Sequence, residues 1–169
     1  IMALDNTGAF DNLIRKYMFH VLNKNGFSRK TISVIEKFYK NNTCKIIVNG
    51  FLSKLVEIEQ GIRQGCPLSA MIYVLVVEPL SAAILQIQQI VGFRLPNNSE
   101  VKLVQHVDDL NLFLQNKKDV NLILNLIKDF GAASGSILNR EKSFIIEICQ
   151  ENDAYSIEGI PVLKNMYKN

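Results

Sequence analysis

The spacing of apolar residues changes character along the chain, and each change predicts a different element. Residues 1–5 (IMALD) read as the end of a buried strand, and the opening is abrupt enough that a preceding segment is expected to be missing. Over 10–22 the apolar positions Phe10, Ile14, Met18, Val21 and Leu22 recur at helical spacing while Arg15, Lys16 and His20 lie off the stripe; a helix is expected there, closed by Gly26. Ser28 is placed to N-cap a second helix reaching about Lys40, with Ile32, Ile35, Phe38 and Tyr39 inward. KIIVNGFLSKLVEI then alternates on both sides of Asn49-Gly50, which predicts a two-stranded ribbon over about 44–58.

A loop, GIRQGCPLS, leads into a long apolar helix expected over about 68–90. Strands follow at 92–95 and 101–107, separated by the turn Pro96-Asn97-Asn98, and 109–114 returns antiparallel. Asp119 is placed to cap a helix with the stripe Val120, Ile123, Leu124, Ile127 and Phe130, ending near Gly135; a strand at 143–148 precedes a poorly patterned tail. With 12–60 set aside as an insertion, the order is strand, helix, strand, strand, helix, strand. That is the split βαβ (ferredoxin-like) pattern: an α+β fold whose four-stranded antiparallel sheet carries two helices on one face. No linker or repeat divides residues 1–169, so one domain is expected.

Composition adds little until the charge is divided. The net charge is +3, but residues 12–60 hold nine Lys/Arg against three Asp/Glu and carry +6, leaving −3 for the rest. Such asymmetry accompanies polyanion binding, and it also fits a solvated basic face on two helices. No apolar run reaches the roughly 18 to 20 residues of a membrane span, the longest being Met71 to Val77 before Glu78 and Pro79, so a soluble intracellular chain, nuclear or cytoplasmic, is expected. Cys44, Cys66 and Cys149 match no metal spacing and are expected to be free thiols.

The doubled Asp108-Asp109 in QHVDD needs a reason, because adjacent like charges at a tight turn repel. In a split βαβ sheet the first and third strands are central neighbours, which brings Asp5 beside that turn. Three converging carboxylates suit hard divalent cations with oxygen ligands. Two such ions about 3.5 to 4 Å apart can activate a hydroxyl and stabilise the departing oxygen of a phosphoryl displacement. The plain alternative is turn chemistry alone.

LDNTGAFD, GIRQGCPLS, HVDD and SGSILNREKS, in that order and with a VNG hairpin before the second, resemble the successive palm motifs of reverse transcriptases, specifically those of LINE-type (non-LTR) retrotransposons. The resemblance implies the palm of an RNA-directed DNA polymerase, with 12–60 as a helical and hairpin fingers insertion and with the N-terminal fingers and the thumb missing. It implies an RNA template, a DNA primer and dNTP as partners, and two Mg²⁺ or Mn²⁺ ions as cofactors. By position it makes Asp5, Asp108 and Asp109 the metal-binding carboxylates and Lys142 the basic residue serving the leaving pyrophosphate. Phe10 becomes the residue that excludes a ribose 2′-hydroxyl; Gln64 and Gly65 lie against the incoming nucleotide, and Arg63 touches phosphate. His106, where the family usually has Tyr, contacts the primer. Asp11 matches the family's AFD and reads as a structural residue at a helix N-terminus. A reading from another class is a non-catalytic nucleic-acid-binding remnant of a decayed or domesticated retroelement.

Overall fold

The computed structural model describes residues 1–148 and 155–164. Its central sheet contains β1 (Met2–Leu4), β4 (Leu103–His106), β5 (Asp109–Leu112) and β6 (Phe144–Glu147), interspersed along the chain with α1 (Arg15–Lys24), α2 (Arg29–Tyr39), the ribbon β2 (Ile47–Val48) and β3 (Phe51–Leu52), α3 (Pro67–Gln86) and α4 (Lys117–Ser134) in the expected alternation. The hydrogen-bonded order is β6-β1-β5-β4, all antiparallel, so the first and third strands are indeed central neighbours. Met2, Leu4, Leu110, Leu112 and Ile145 point to the face where Leu80 and Ile84 of α3 and Val120, Ile123, Leu124 and Ile127 of α4 pack. Both helices therefore cover one face. Leu112 and Ile123 are fully enclosed, and truncating either to Ala is expected to cost about 2–5 kcal/mol.

Several expected boundaries move, each for a tertiary reason. The first helix starts at Arg15, not Phe10: residues 8–12 form a turn, with Asp11 N–H and Asn12 N–H donating to Gly8 O, and Ile14 N–H donates to Ser134 O instead of entering a helix. In α2 the Ser28 cap holds, its Oγ accepting from Thr31 N–H, but Phe38 is exposed while Ile35 and Tyr39 are buried. The N-cap of α4 is Asn116, with Asp119 inside the first turn. The long helix runs through Pro79 and stops at Gln86.

That helix also corrects the membrane reading: Pro67–Gln86 is long and apolar enough to cross a membrane, with a mean hydropathy of 2.0. Packing accounts for part of its apolarity, since Ile72, Tyr73, Val76, Val77, Leu80 and Ile84 are buried in the two cores, while Met71, Val74 and Leu85 are exposed. The tail is not unpatterned. Strands β7 (Tyr155–Ile157) and β8 (Ile160–Lys164) extend the sheet to six strands, with β8 parallel to β6, because Ile160 and Val162 alternate into the core. The sheet is thus mixed, not wholly antiparallel. Cys44 and Cys66 are free, while Cys149 lies outside the described residues.

Candidate active site

Register brings the carboxylates to one end of the sheet. Leu4 pairs with Leu110, so Asp5 follows β1 where Asp109 begins β5. The turn itself is tied down from the same side: Asn6 Nδ2 donates to the backbone oxygen of Asp108 at 3.3 Å, and Asn6 Oδ1 accepts from Ser136 Oγ at 3.0 Å. Asp5 is fixed through its backbone, its N–H donating to Ser143 Oγ at 3.1 Å and its carbonyl accepting from Asn139 N–H at 2.9 Å. Thus LDN, HVDD and SGSILNREKS meet through hydrogen bonds made chiefly by residues with no expected role. Asn6, Ser136 and Ser143 carry no periodic signal, and only the assembled sheet reveals them.

The hairpin turn between β4 and β5 has Val107 at φ +55°, a region that β-branched side chains rarely enter, and such a conformation costs about 1–3 kcal/mol. It sits directly before Asp108. Asp109 pairs with His106 across the turn, and both are exposed. Among the described residues no three of His, Cys, Asp or Glu are grouped so as to hold a metal ion in this structure. The chemistry of the donors still fits hard cations. Among the described residues none of the side-chain carboxylates of Asp5, Asp108 and Asp109 has an ion pair or accepts a hydrogen bond, which leaves their oxygens available.

Phe10 lies in the 8–12 turn, half-buried, and stacks on Tyr73 of α3 with ring centroids 4.8 Å apart and planes 17° from parallel. Tyr73 went unnoticed in the sequence because it reads as one more apolar position of α3. Burial first, and then the nearby negative charge of Asp108, push its phenol well above the ordinary range. The aromatic pair and the aspartate turn are therefore neighbours, although Asp108 is far along the chain from Phe10.

The Gln64 loop is zipped to that same turn. Ile62 N–H donates to Phe10 O at 2.8 Å and Gly61 N–H to Leu13 O at 2.9 Å. Gly61, at φ +78°, approaches so closely that a β-carbon would meet Asp11 O at 2.6 Å. Arg15 clamps the loop from α1, its Nε donating to Gly61 O, Nη2 to Gln60 O and Nη1 to Tyr39 O, with the guanidinium 5.4 Å from the Tyr39 ring centroid. Burial lowers the Arg15 pKa, partly offset by Tyr39. Gly65, also at φ +78°, has open space where a β-carbon would stand, so a ligand can approach its backbone. Arg63 Nη2 donates to Asn42 Oδ1 at 2.6 Å. Gln64 Nε2 lies 3.2 and 3.1 Å from the two carboxylate oxygens of Asp11. Asp11 is therefore not a helix cap, since α1 has no acidic residue in its first turn. Lys142 is exposed on the loop that holds Asp5.

Residues 1–158 match the family described as "Reverse transcriptase (RNA-dependent DNA polymerase)". The chain is 27% identical over 143 residues to the "Transposon TX1 uncharacterized 149 kDa protein" of Xenopus laevis, covering 84% of this chain and 11% of that protein. It is 25% identical over 148 residues to the "Retrovirus-related Pol polyprotein from type-2 retrotransposable element R2DM" of Drosophila melanogaster, covering 88% and 14%. It therefore spans only a small part of these relatives' length. Its fold resembles apo telomerase from Candida tropicalis, with a TM-score of 0.64 at 15% identity over 95% of this chain and 30% of that one. The same telomerase in complex with a TWJ fragment of telomeric RNA gives 0.63 at 15% identity, covering 84% and 25%. At such identity the likeness is one of fold alone. The family match over nearly the whole chain, together with the two retrotransposon relatives, is decisive: this chain belongs to the reverse transcriptase family.

Proposed function

We propose that this domain is the palm, with part of the fingers, of an RNA-directed DNA polymerase that copies retrotransposon RNA into DNA. The observation that carries the reading is the β1–β5 register, which sets Asp5 beside the Asp108 turn while Phe10 and Tyr73 stack against the same corner. Asp5 and Asp108, with Asp109, would hold the ions; when bound, two Mg²⁺ or Mn²⁺ ions supply activation of the primer hydroxyl and charge neutralisation at the leaving pyrophosphate. The residues of the chain do the rest. Phe10, backed by Tyr73, presents an edge that excludes a 2′-hydroxyl, Gln64 and Gly65 border the nucleotide, and His106 faces the primer. Lys142 stands near the path of the pyrophosphate, and Arg63 is close enough to the loop to meet phosphate on leaving Asn42.

The test is primer extension on an RNA template by the full-length parent polymerase. Asp108→Asn and Asp5→Asn should abolish extension while leaving primer/template binding in place. Extension at the wild-type rate by either variant defeats the metal assignment, and duplex binding without extension by the wild type identifies a nucleic-acid-binding remnant. In the same assay Phe10→Ala should admit ribonucleotides, lowering the dNTP/NTP ratio of kcat/KM more than it lowers the dNTP rate. Loss of dNTP use with ribonucleotides still excluded makes Phe10 a packing residue.

A further inference from the structure

We infer that Asp11 is a positioning residue: its carboxylate holds the Gln64 side chain by the amide nitrogen, so that the amide oxygen faces the nucleotide as a hydrogen-bond acceptor. The inference rests on the polymerase reading above and adds to it a residue and a polarity.

The polarity follows from the chemistry of the pair. An ionised carboxylate only accepts, so the end of the Gln64 amide that meets Asp11 must be the nitrogen, and the oxygen is turned away from it. Both oxygens of Asp11 lie within reach of that nitrogen, at 3.2 and 3.1 Å. No cation competes. The two arginines of the same cleft are engaged elsewhere, Arg15 on three backbone carbonyls and Arg63 on Asn42.

Each end of the pair stands on fixed backbone. Asp11 N–H donates to Gly8 O at 2.9 Å, closing the turn, and the adjacent Phe10 is anchored by its stack on Tyr73. On the other side, Ile62 N–H donates to Phe10 O, and Gly61 packs its α-carbon against the Asp11 backbone. The Gln64 side chain, by contrast, is exposed and has three rotatable bonds, so without a tether it would sample many rotamers and lose that freedom on meeting a ligand. The tether removes that cost beforehand. Asp11 also follows Phe10 directly in the chain, so the ring that reads the sugar and the amide that meets the nucleotide are set in register by consecutive residues. The cleft that Asp11 and Gln64 share with Arg15, Asn42, Gln60 and Arg63 has a volume of about 540 Å³.

The experiment uses the full-length parent polymerase on an RNA template with a dideoxy-terminated primer, so that dNTP binds without reacting. Affinity for the templated dNTP is compared for wild type, Asp11→Ala, Asp11→Asn, Gln64→Ala and the double Ala variant. Loss of the one charge-assisted hydrogen bond that orders an otherwise free side chain predicts about tenfold weaker binding for Asp11→Ala. Asp11→Asn keeps an oxygen at the same reach and should bind within about threefold of wild type. The double variant should bind no more weakly than Gln64→Ala, because two residues acting through one bond are not additive. In single-turnover extension the defect of Asp11→Ala should lie in apparent dNTP affinity, with the rate at saturation retained. Wild-type affinity in Asp11→Ala, additive losses in the double variant, or a dead Asp11→Asn that marks a direct metal ligand would each overturn the inference. A wild type that binds no dNTP sinks the polymerase reading, and this inference falls with it.

Discussion

Asn6 uses both ends of its amide, one on the Asp108 carbonyl and the other on Ser136 Oγ, and so couples three segments that lie far apart in the chain. Asn6→Ala removes both bonds and is expected to destabilise the domain by about 1–2 kcal/mol. For a chain of this size that corresponds to a melting point lower by roughly 2–8 °C, which a thermal melt reads directly. An unchanged melting point would mean that water replaces both bonds at no cost. Cys66 makes a second test at this scale. It is the N-cap residue of α3, and the amides of Ser69 and Leu68 favour its thiolate, helped by Arg63, so its pKa falls below that of a free thiol. Since the anion is the nucleophile, iodoacetamide should alkylate Cys66 with a pH midpoint below that of a cysteine in an unstructured peptide, as followed by peptide mass. Coincident profiles would show that the helix terminus does not act on the sulfur.

Among the elements, the β2–β3 ribbon is where pattern and burial part company. Its alternation around Asn49-Gly50 was legible because turn chemistry is local, and Ile47 pairs with Leu52 as the turn demands. Yet Ile47, Val48, Phe51 and Leu52 are all exposed, Phe51 at 79%. With no core beneath them, Phe51→Ser with Leu52→Lys should change unfolding free energy by less than about 0.5 kcal/mol per site. The same change should reduce self-association, measured by sedimentation, because it breaks an exposed apolar patch. A loss of stability above 2 kcal/mol, on the order of a buried side chain, would contradict the exposure. The same contrast explains what else could be read in advance. The Ser28 cap, the α4 stripe and the strand order rest on local chemistry or on topology, and they appeared in the sequence. The onset of α1 did not, because Phe10, Leu13 and Ile14 give their backbone groups to Ile62, Gly61 and Ser134. Nor did Tyr73, or the bond between Asp11 and Gln64: contacts across such separations leave no period to find.

At the scale of the whole molecule, charge is distributed unevenly in the folded chain as it is in the sequence. Residues 12–60 carry +6, and every lysine and arginine in that segment except Arg15 is exposed. None of them takes part in a salt bridge among the described residues. Lys37 and Lys40 lie at the end of α2, and Lys45 enters the ribbon that follows, so the three extend from the helix onto the hairpin. If this face tracks a nucleic-acid backbone, each phosphate it neutralises releases counterions, and the slope of log K against log salt steepens by about 0.7 to 0.9 per contact. Lys37→Glu, Lys40→Glu and Lys45→Glu together should therefore weaken binding of an RNA/DNA duplex and flatten that slope by roughly 2 to 3. The melting point should stay within a few degrees of wild type, since exposed substitutions contribute little to stability. Titrations at several salt concentrations separate this from the bland reading: an unchanged slope means that the basic face is only solvated, and that the duplex is held by other surfaces of the parent protein.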